Sequence, residues 1–284
     1  MDSLVVLAVL AGALLHAAWN ALIRSGDDKP LDTGLIHGLG TLVALPLVMW
    51  TGFPRAEAWP YLGASWVIHI GYYIALAGAY RHGELGLTYP VMRGLAPLLV
   101  AASSAAVLGE PLSAQGWAGI AAVSAGVVAV GLSRGAASGG HPGKALRYAL
   151  ANAAIIALYT VVDGRGVRVS GAPLAYVATL FLADGLPYFA LVLWQRRAQR
   201  AAVRSYLAAR WKLALLASIA SFGSYAIALW AMTRAPVATV AALRETSVLF
   251  AALIGVLWLK EGFGAQRAAG TALLLGGVVA LRLA

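Results

Sequence analysis

Residues 89–94 read Tyr-Pro-Val-Met-Arg-Gly and residues 108–111 read Leu-Gly-Glu-Pro; residues 241–245 read Ala-Ala-Leu-Arg-Glu and residues 259–262 read Leu-Lys-Glu-Gly. With Glu110 set over Glu261, 151 positions later, Arg93 falls on Arg244, Gln115 on Gln266, Gly119 on Gly270 and Gly126 on Gly277. Chance produces some matches between stretches rich in Ala, Gly and Leu. Two Arg and two Glu at one offset are harder to obtain that way. The chain reads as one unit written twice.

The repeated unit belongs in a membrane. Of 284 residues, 61% are hydrophobic and 11% charged, against about 25% charged in soluble domains. So few charges cannot build a water-facing surface, and the mean hydropathy of +0.80 points to lipid as the solvent. A helix crosses the hydrocarbon layer with about 20 apolar residues. Ten runs approach or meet that length: 3–23, 33–51, 61–80, 86–108, 114–133, 146–163, 173–194, 212–232, 236–258 and 264–283. The expected fold is an all-α integral membrane protein of ten transmembrane helices in two five-helix repeats. The repeats cover 1–134 and 146–284, with a linker over 135–145. An odd number of spans per copy turns the second copy upside down, giving inverted repeats. No soluble domain fits in the remainder. The first run reads as a span and not a leader, because Asp2 stands where a leader is basic and Asp27 and Asp28 follow.

Net charge is +10, yet the basic residues sit between apolar runs and form no single stripe with interleaved aromatics. Nucleic acid is not an expected partner. Odd-numbered loops hold fourteen Lys and Arg: Arg24, Lys29, Arg81, Arg134, Lys144, Arg147, Arg196, Arg197, Arg200, Arg204, Arg210, Lys212, Lys260 and Arg267. The other side holds five: Arg55, Arg165, Arg168, Arg234 and Arg282. The positive-inside rule then places odd loops in the cytoplasm and both termini outside. Cysteine is absent, which excludes disulfides and thiolate metal sites. The five His, at 16, 37, 69, 82 and 141, show no metal-ligand spacing. Residues 138–145, Ser-Gly-Gly-His-Pro-Gly-Lys-Ala, lack the first Gly and the final Ser/Thr of a phosphate-binding loop. No cofactor, metal or catalytic residue is expected, and the chain does not read as an enzyme.

Ten spans in a five-plus-five repeat, with Gly109-Glu110 and Lys260-Glu261 closing the fourth span of each half, resemble the drug/metabolite transporter superfamily, and within it the EamA-type transporters. Residues 15–22, Leu-His-Ala-Ala-Trp-Asn-Ala-Leu, and residues 159–166, Tyr-Thr-Val-Val-Asp-Gly-Arg-Gly, are also similar to segments of that branch. The resemblance covers essentially the whole chain. It implies a basket of ten helices around a central cavity, export of amino acids or other small metabolites, and alternating access. One departure is plain. Many small multidrug relatives carry a Glu inside the first helix; this first helix has none, which counts against proton-coupled export of hydrophobic cations.

A charge at the bilayer centre costs at least about 2.5–3.5 kcal/mol on insertion scales, so each embedded one demands a reason. Arg93 and Arg244 lie near the middle of spans four and nine. They read either as paired cationic anchors for a carboxylate or phosphate-type group or as a structural clamp. Glu245 projects about 100° away from Arg244 and can satisfy Arg93 across the interface. His16, Trp19 and Asn20 share one face of span one, as cavity lining or as an interhelical hydrogen-bond patch. His69, Tyr72 and Tyr73 repeat the pattern on span three, and Tyr89 stands one turn before Arg93. Aromatic walls suit apolar or cationic parts of a ligand. In the second half, Tyr159 and Asp163 lie one turn apart, as do Ser221 and Tyr225, with Trp230 further along. Asp163 is expected to pair with Arg165 or Arg168 at the boundary. Asp184 falls in span seven, an outer helix by the family analogy. Glu110 and Glu261 read as structural residues that satisfy helix termini. Tyr80, Trp50, Trp59, Trp194 and Trp211 read as an interfacial belt. Prolines 90 and 97 flank Arg93, so span four is expected to open beside the site, as a hinge or for packing.

These features point to a secondary transporter, an exporter of a small polar or amphipathic metabolite such as an amino acid or another carboxylate or phosphonate compound. The alternatives are a proton-coupled exporter of lipophilic cations and a non-transporting membrane enzyme. The expected partners are a small-molecule substrate and the lipid bilayer, in a bacterial inner membrane. The Gly-rich fifth and tenth spans can pack within one chain or between two, as monomer or homodimer.

Overall fold

The computed structural model describes residues 2–24, 26–82, 85–132, 142–259 and 264–284. Among these residues the regular structure is helical, with no strand. In chain order the helices are α1 (Ser3–Arg24), α2 (Lys29–Thr51), α3 (Trp59–His82), α4 (Leu85–Leu108), α5 (Ala114–Leu132), α6 (Pro142–Ser170), α7 (Pro173–Gln195), α8 (Arg200–Met232), α9 (Val237–Arg244), α10 (Ser247–Leu259) and α11 (Ala265–Leu283). Local signals set several of the ends. Asp28 caps α2 by accepting from the Leu31 N–H, with Pro30 in the first turn. Gly109 closes α4 with φ +66°, a left-handed turn that only glycine adopts freely.

Three boundaries differ from the sequence expectation. α8 starts at Arg200, not near 212, because the basic stretch expected as a loop is rich in Ala and Arg, both strong helix formers. The ninth run is two helices: α9 stops at Arg244, and Glu245 and Thr246 form a turn before α10. α4, by contrast, is continuous through Pro90 and Pro97. The Pro90 ring occupies room left by Gly131, where a Cβ would lie 2.1 Å from the Pro90 Cγ.

Among the described residues, eight stretches are long and apolar enough to cross a membrane: Ser3–Ile23, Lys29–Thr51, Thr88–Leu108, Ala114–Leu132, Gly143–Ser170, Pro173–Gln195, Arg197–Met232 and Val237–Ile254. The chain is a multi-pass integral membrane protein. Beside these eight stand α3, which carries His69, Tyr72 and Tyr73, and α11, which carries Gln266, Arg267 and Thr271. Large apolar side chains such as Leu42, Met49, Val67 and Leu253 face outward, as they do when the solvent is lipid. Trp50, Trp59, Trp194 and Trp211 are exposed too, suiting them to an interfacial belt; the Tyr80 side chain lies outside the described residues.

Inside, α2 packs along α7, α5 along α11, α3 along α6 and α7, α1 along α8 and α10, α4 along α5 and α6, and α2 along α8. The α5–α11 seam is a close approach of two backbones. The helices run antiparallel: a Cβ on Gly126 would lie 2.7 Å from the Gly270 carbonyl oxygen, and one on Gly277 would lie 2.7 Å from that of Gly119. Gln115 donates to the Ala280 carbonyl at 3.4 Å, and Gln266 to the Ala129 carbonyl at 3.3 Å. The glycine face of α5 is thus covered by α11 of the same chain.

This seam leaves no room for a methyl group. Gly126→Ala is expected to lower the unfolding midpoint in detergent, at a cost of about 1–3 kcal/mol for overpacking. Gly276→Ala, where an added Cβ meets nothing within 4 Å, is expected to leave it unchanged.

Candidate substrate site

The break in the ninth span gathers the charges. Where α9 ends, Glu245 N–H bonds to the Ala242 carbonyl at 3.0 Å and Thr246 N–H to that of Leu243 at 3.1 Å. These i→i+3 bonds tighten the last turn. Arg93 reaches across from α4: its Nε lies 3.0 Å from Glu245 Oε2, and its terminal amino group donates to Ser247 Oγ at 3.5 Å. The pair is almost wholly buried, and the Nε–H is not aligned on the carboxylate oxygen. It is a charge contact more than a directed hydrogen bond.

Arg244, in the last turn of α9, holds no carboxylate among the described residues. Its guanidinium carbon stands 5.4 Å from the Tyr225 ring centre, a cation–π contact. Arg93, Arg244 and Glu245 line one cavity with Pro97 of α4 and Ile156 and Tyr159 of α6. Its volume is about 20 Å³, room for about one water molecule. His16 of α1 lies within the electrostatic reach of Arg93 and Arg244, and Tyr72 and Tyr89 within that of Arg93. The structure therefore brings Arg93, Tyr159, Arg244 and Glu245 together, with the Tyr72 ring 6.1 Å from that of Tyr159.

Behind this cavity runs a ladder of polar groups. Asp163, fully buried on α6, accepts from Tyr225 at 2.6 Å, Tyr176 at 2.9 Å and Ser65 at 3.0 Å. The expected pairing with Arg165 or Arg168 is wrong, because α6 continues to Ser170 and leaves Asp163 inside the bundle. His69 stacks on Tyr159 at 4.5 Å, lies 3.2 Å from Ser65 Oγ, and faces Asp184 at 3.7 Å. Tyr73 donates to Asp184 at 3.3 Å and stands 3.5 Å from His37 Nδ1. Trp19 bridges by edge contacts from His16 to His37. Asp184 thus faces inward, against its expected place on an outer helix.

Three expected residues stand apart. Asn20 donates to the His16 carbonyl of its own helix at 2.8 Å. Ser221 is buried without joining the ladder, and Trp230 stacks with Arg234. His37, Ser65, Asp184 and Ser247 are members that sequence reasoning missed. A signal for the first and third existed in Gly34, Gly38 and Gly185, which let α2 and α7 approach; a Cβ on Gly185 would lie 2.2 Å from the His37 carbonyl oxygen.

Glu110 does satisfy a helix terminus, though in the other half of the chain. It accepts from the Val237 N–H at 2.9 Å, capping α9, and pairs with Arg168 at 2.6 Å. Arg168 also donates to the carbonyls of Met232 and Ala235. Glu261 lies outside the described residues. No group of three or more metal-binding side chains occurs among them.

The sequence profile of the EamA-like transporter family matches residues 143–283. This chain belongs to that family. A solved structure, described only as the crystal structure of a protein, is similar over 100% of this chain and 98% of its own, with a TM-score of 0.73 and 23% identity. At that identity it shows the fold alone. The search of curated proteins finds no match.

In this EamA-like transporter the two partners of the buried pair depend on each other. Glu245→Gln strands the Arg93 charge and is expected to cost about 3–5 kcal/mol of stability. Arg93→Met combined with Glu245→Leu, measured by the same thermal unfolding, is expected to recover most of that loss.

Proposed function

We propose that this chain is a secondary transporter that exports a small polar or amphipathic metabolite by alternating access. An amino acid or another carboxylate- or phosphonate-bearing compound is the substrate class. The observation that carries this reading is the uncompensated guanidinium. Arg93 is neutralised by Glu245, whereas Arg244 lines the same cavity against the Tyr225 ring, with no carboxylate paired to it among the described residues. One net positive charge in a low-dielectric pocket favours an anionic group. The planar fork of Arg holds a carboxylate or phosphonate through two parallel hydrogen bonds. Tyr159, Tyr72 and Tyr89 offer aromatic surface to the remainder of the ligand, with His16 opposite. Trp19, His69, Tyr73 and Tyr225 form the surrounding wall. Export, in place of uptake, and a bacterial inner membrane follow the family resemblance.

Alternating access requires two halves that move against each other. We assign them to 1–134 and 146–284, inverted in the membrane and joined by 135–145. Three observations support this. With α9 and α10 counted as one span and α11 as the tenth, exchanging each span n for n+5 turns the α3–α6 pair into α8–α1 and the α2–α8 pair into α7–α3, and all four of these pairs occur. Gln115 to Ala280 and Gln266 to Ala129 are one contact counted from either half, since each residue lies 151 positions from its counterpart. α3 and α11, with 24 and 19 residues, reach about 36 and 28 Å at 1.5 Å per residue, enough to complete ten spans. The broken ninth helix suits the role, because discontinuous spans supply substrate-facing ends in such transporters. A cavity of about 20 Å³ holds no metabolite until the halves part, which fits a closed intermediate of the cycle.

Counterflow of labelled amino acids into liposomes containing this protein alone tests the reading. Arg244→Gln is expected to cut flux by about ten- to a hundredfold, the value of one charged hydrogen-bonding contact, with folded yield unchanged. Undiminished flux in that variant overturns the anion site. Transport of a lipophilic cation that ignores Arg244→Gln supports the drug-exporter alternative, and no flux of any solute refutes transport.

A further inference from the structure

Apart from the charged cavity, the end of α7 and the start of α8 border an open groove of about 510 Å³. Arg196, Arg197, Arg200 and Arg204 line it above an apolar floor that includes Val203 and Leu207. Between Asp184 and Glu245 the chain has no acidic residue at all. Two carboxylates at the start of α2 are already engaged: Asp28 holds Arg196 at 2.9 Å and Asp32 holds Arg210 at 3.1 Å. Arg197 folds back onto the Trp194 ring at 4.7 Å and donates to the Trp194 carbonyl. Arg200 and Arg204 are exposed, with no acidic partner among the described residues. They stand one turn apart on one helix face, where like charges repel. No side chain caps the first turn of α8, so its N–H groups and the positive end of its dipole face the same space.

Depth decides what fills it. Trp194, in the wall of the groove, is 61% exposed, and Trp211, three turns into α8, is 47% exposed. Tryptophans so placed lie at the level of lipid headgroups. The first turns of α8 then project just past the hydrocarbon boundary, with the groove beside them.

We infer that this groove binds the phosphate of an anionic phospholipid between Arg200 and Arg204. Its glycerol backbone and the start of an acyl chain lie over Val203 and Leu207. A guanidinium pair holds a phosphodiester through charge-assisted hydrogen bonds, and the apolar floor distinguishes a lipid from a free phosphate ion. The bound anion offsets the repulsion between the two arginines and ties α8 to α7.

The test is native mass spectrometry of the full chain after equilibration with equal amounts of phosphatidylglycerol and phosphatidylcholine. The wild type is expected to retain phosphatidylglycerol selectively. Arg200→Ala with Arg204→Ala is expected to lose about ten- to thirtyfold of that selectivity, the share of two interfacial arginines. Its lipid-free unfolding midpoint should match the wild type, since both side chains are exposed. Arg200→Lys with Arg204→Lys, which keeps the charge but not the fork, is expected to fall between the two. Equal retention by wild type and double Ala variant, or no preference for the anionic lipid, overturns the proposal. Displacement of the lipid by millimolar inorganic phosphate overturns the lipid as its source.

Discussion

Two opposite charges, Arg93 and Glu245, sit where neither is tolerated alone. Removing an ion from water costs several kcal/mol even after relaxation, and only a close opposite charge repays it. The guanidinium belongs to α4 and the carboxylate to the turn between α9 and α10, so the pair joins the two parts of the chain at their centre. It also fixes the ninth span in its broken form, with Arg93 holding both Glu245 and Ser247. The rest of the site follows from that geometry. Because Glu245, the carboxylate that lines the cavity, is spent on Arg93, the second guanidinium, Arg244, is left beside an aromatic ring.

The same rule governs the other buried polar groups. Asp163 is surrounded by hydroxyls from α3, α7 and α8, three donors converging from three helices. Glu110, delivered by the left-handed turn at Gly109, closes the start of α9 and anchors Arg168. Each of these groups is satisfied by an element distant in sequence. Apolar surfaces slide on one another with little preference, whereas such contacts exist in one arrangement only. They select the packing that lipid, as a solvent, does little to dictate.

What the sequence disclosed and what it hid divide along that line. The helical, membrane-spanning character of the chain and the rough placement of most apolar runs were legible because apolar length is a local property. Arg93, Arg244 and Glu245 stood out because a charge inside an apolar run is conspicuous anywhere. The break after Arg244 was not legible. The residues there, Arg-Glu-Thr-Ser, contain neither Gly nor Pro, and the turn is held by a side chain from another helix. Pro90 and Pro97 pointed to the wrong span, because a proline ring seated against Gly131 can be absorbed by packing. Asp163 was misassigned since its partners come from three helices, whereas Arg165 and Arg168 merely stand nearby in sequence. The ladder from His37 to Asp184 depends on the approach of α2 to α7, and Gly34, Gly38 and Gly185 were its only trace.

The glycine seam between α5 and α11 also limits how the molecule deforms. Where an amide backbone rests directly on another, with side-chain amides clasping both ends, longitudinal sliding meets immediate steric resistance. Rotation about the line of contact meets far less. In the alternating-access cycle proposed above, the seam serves as the fulcrum. Displacement grows with distance from it, so the smallest excursions fall on α5 and α11 and the largest on the helices at the far side of the bundle. A small angular change there, multiplied by the lever arm of the bundle, is the economical way for a rigid pair of helices to uncover a centre that now has room for a single water.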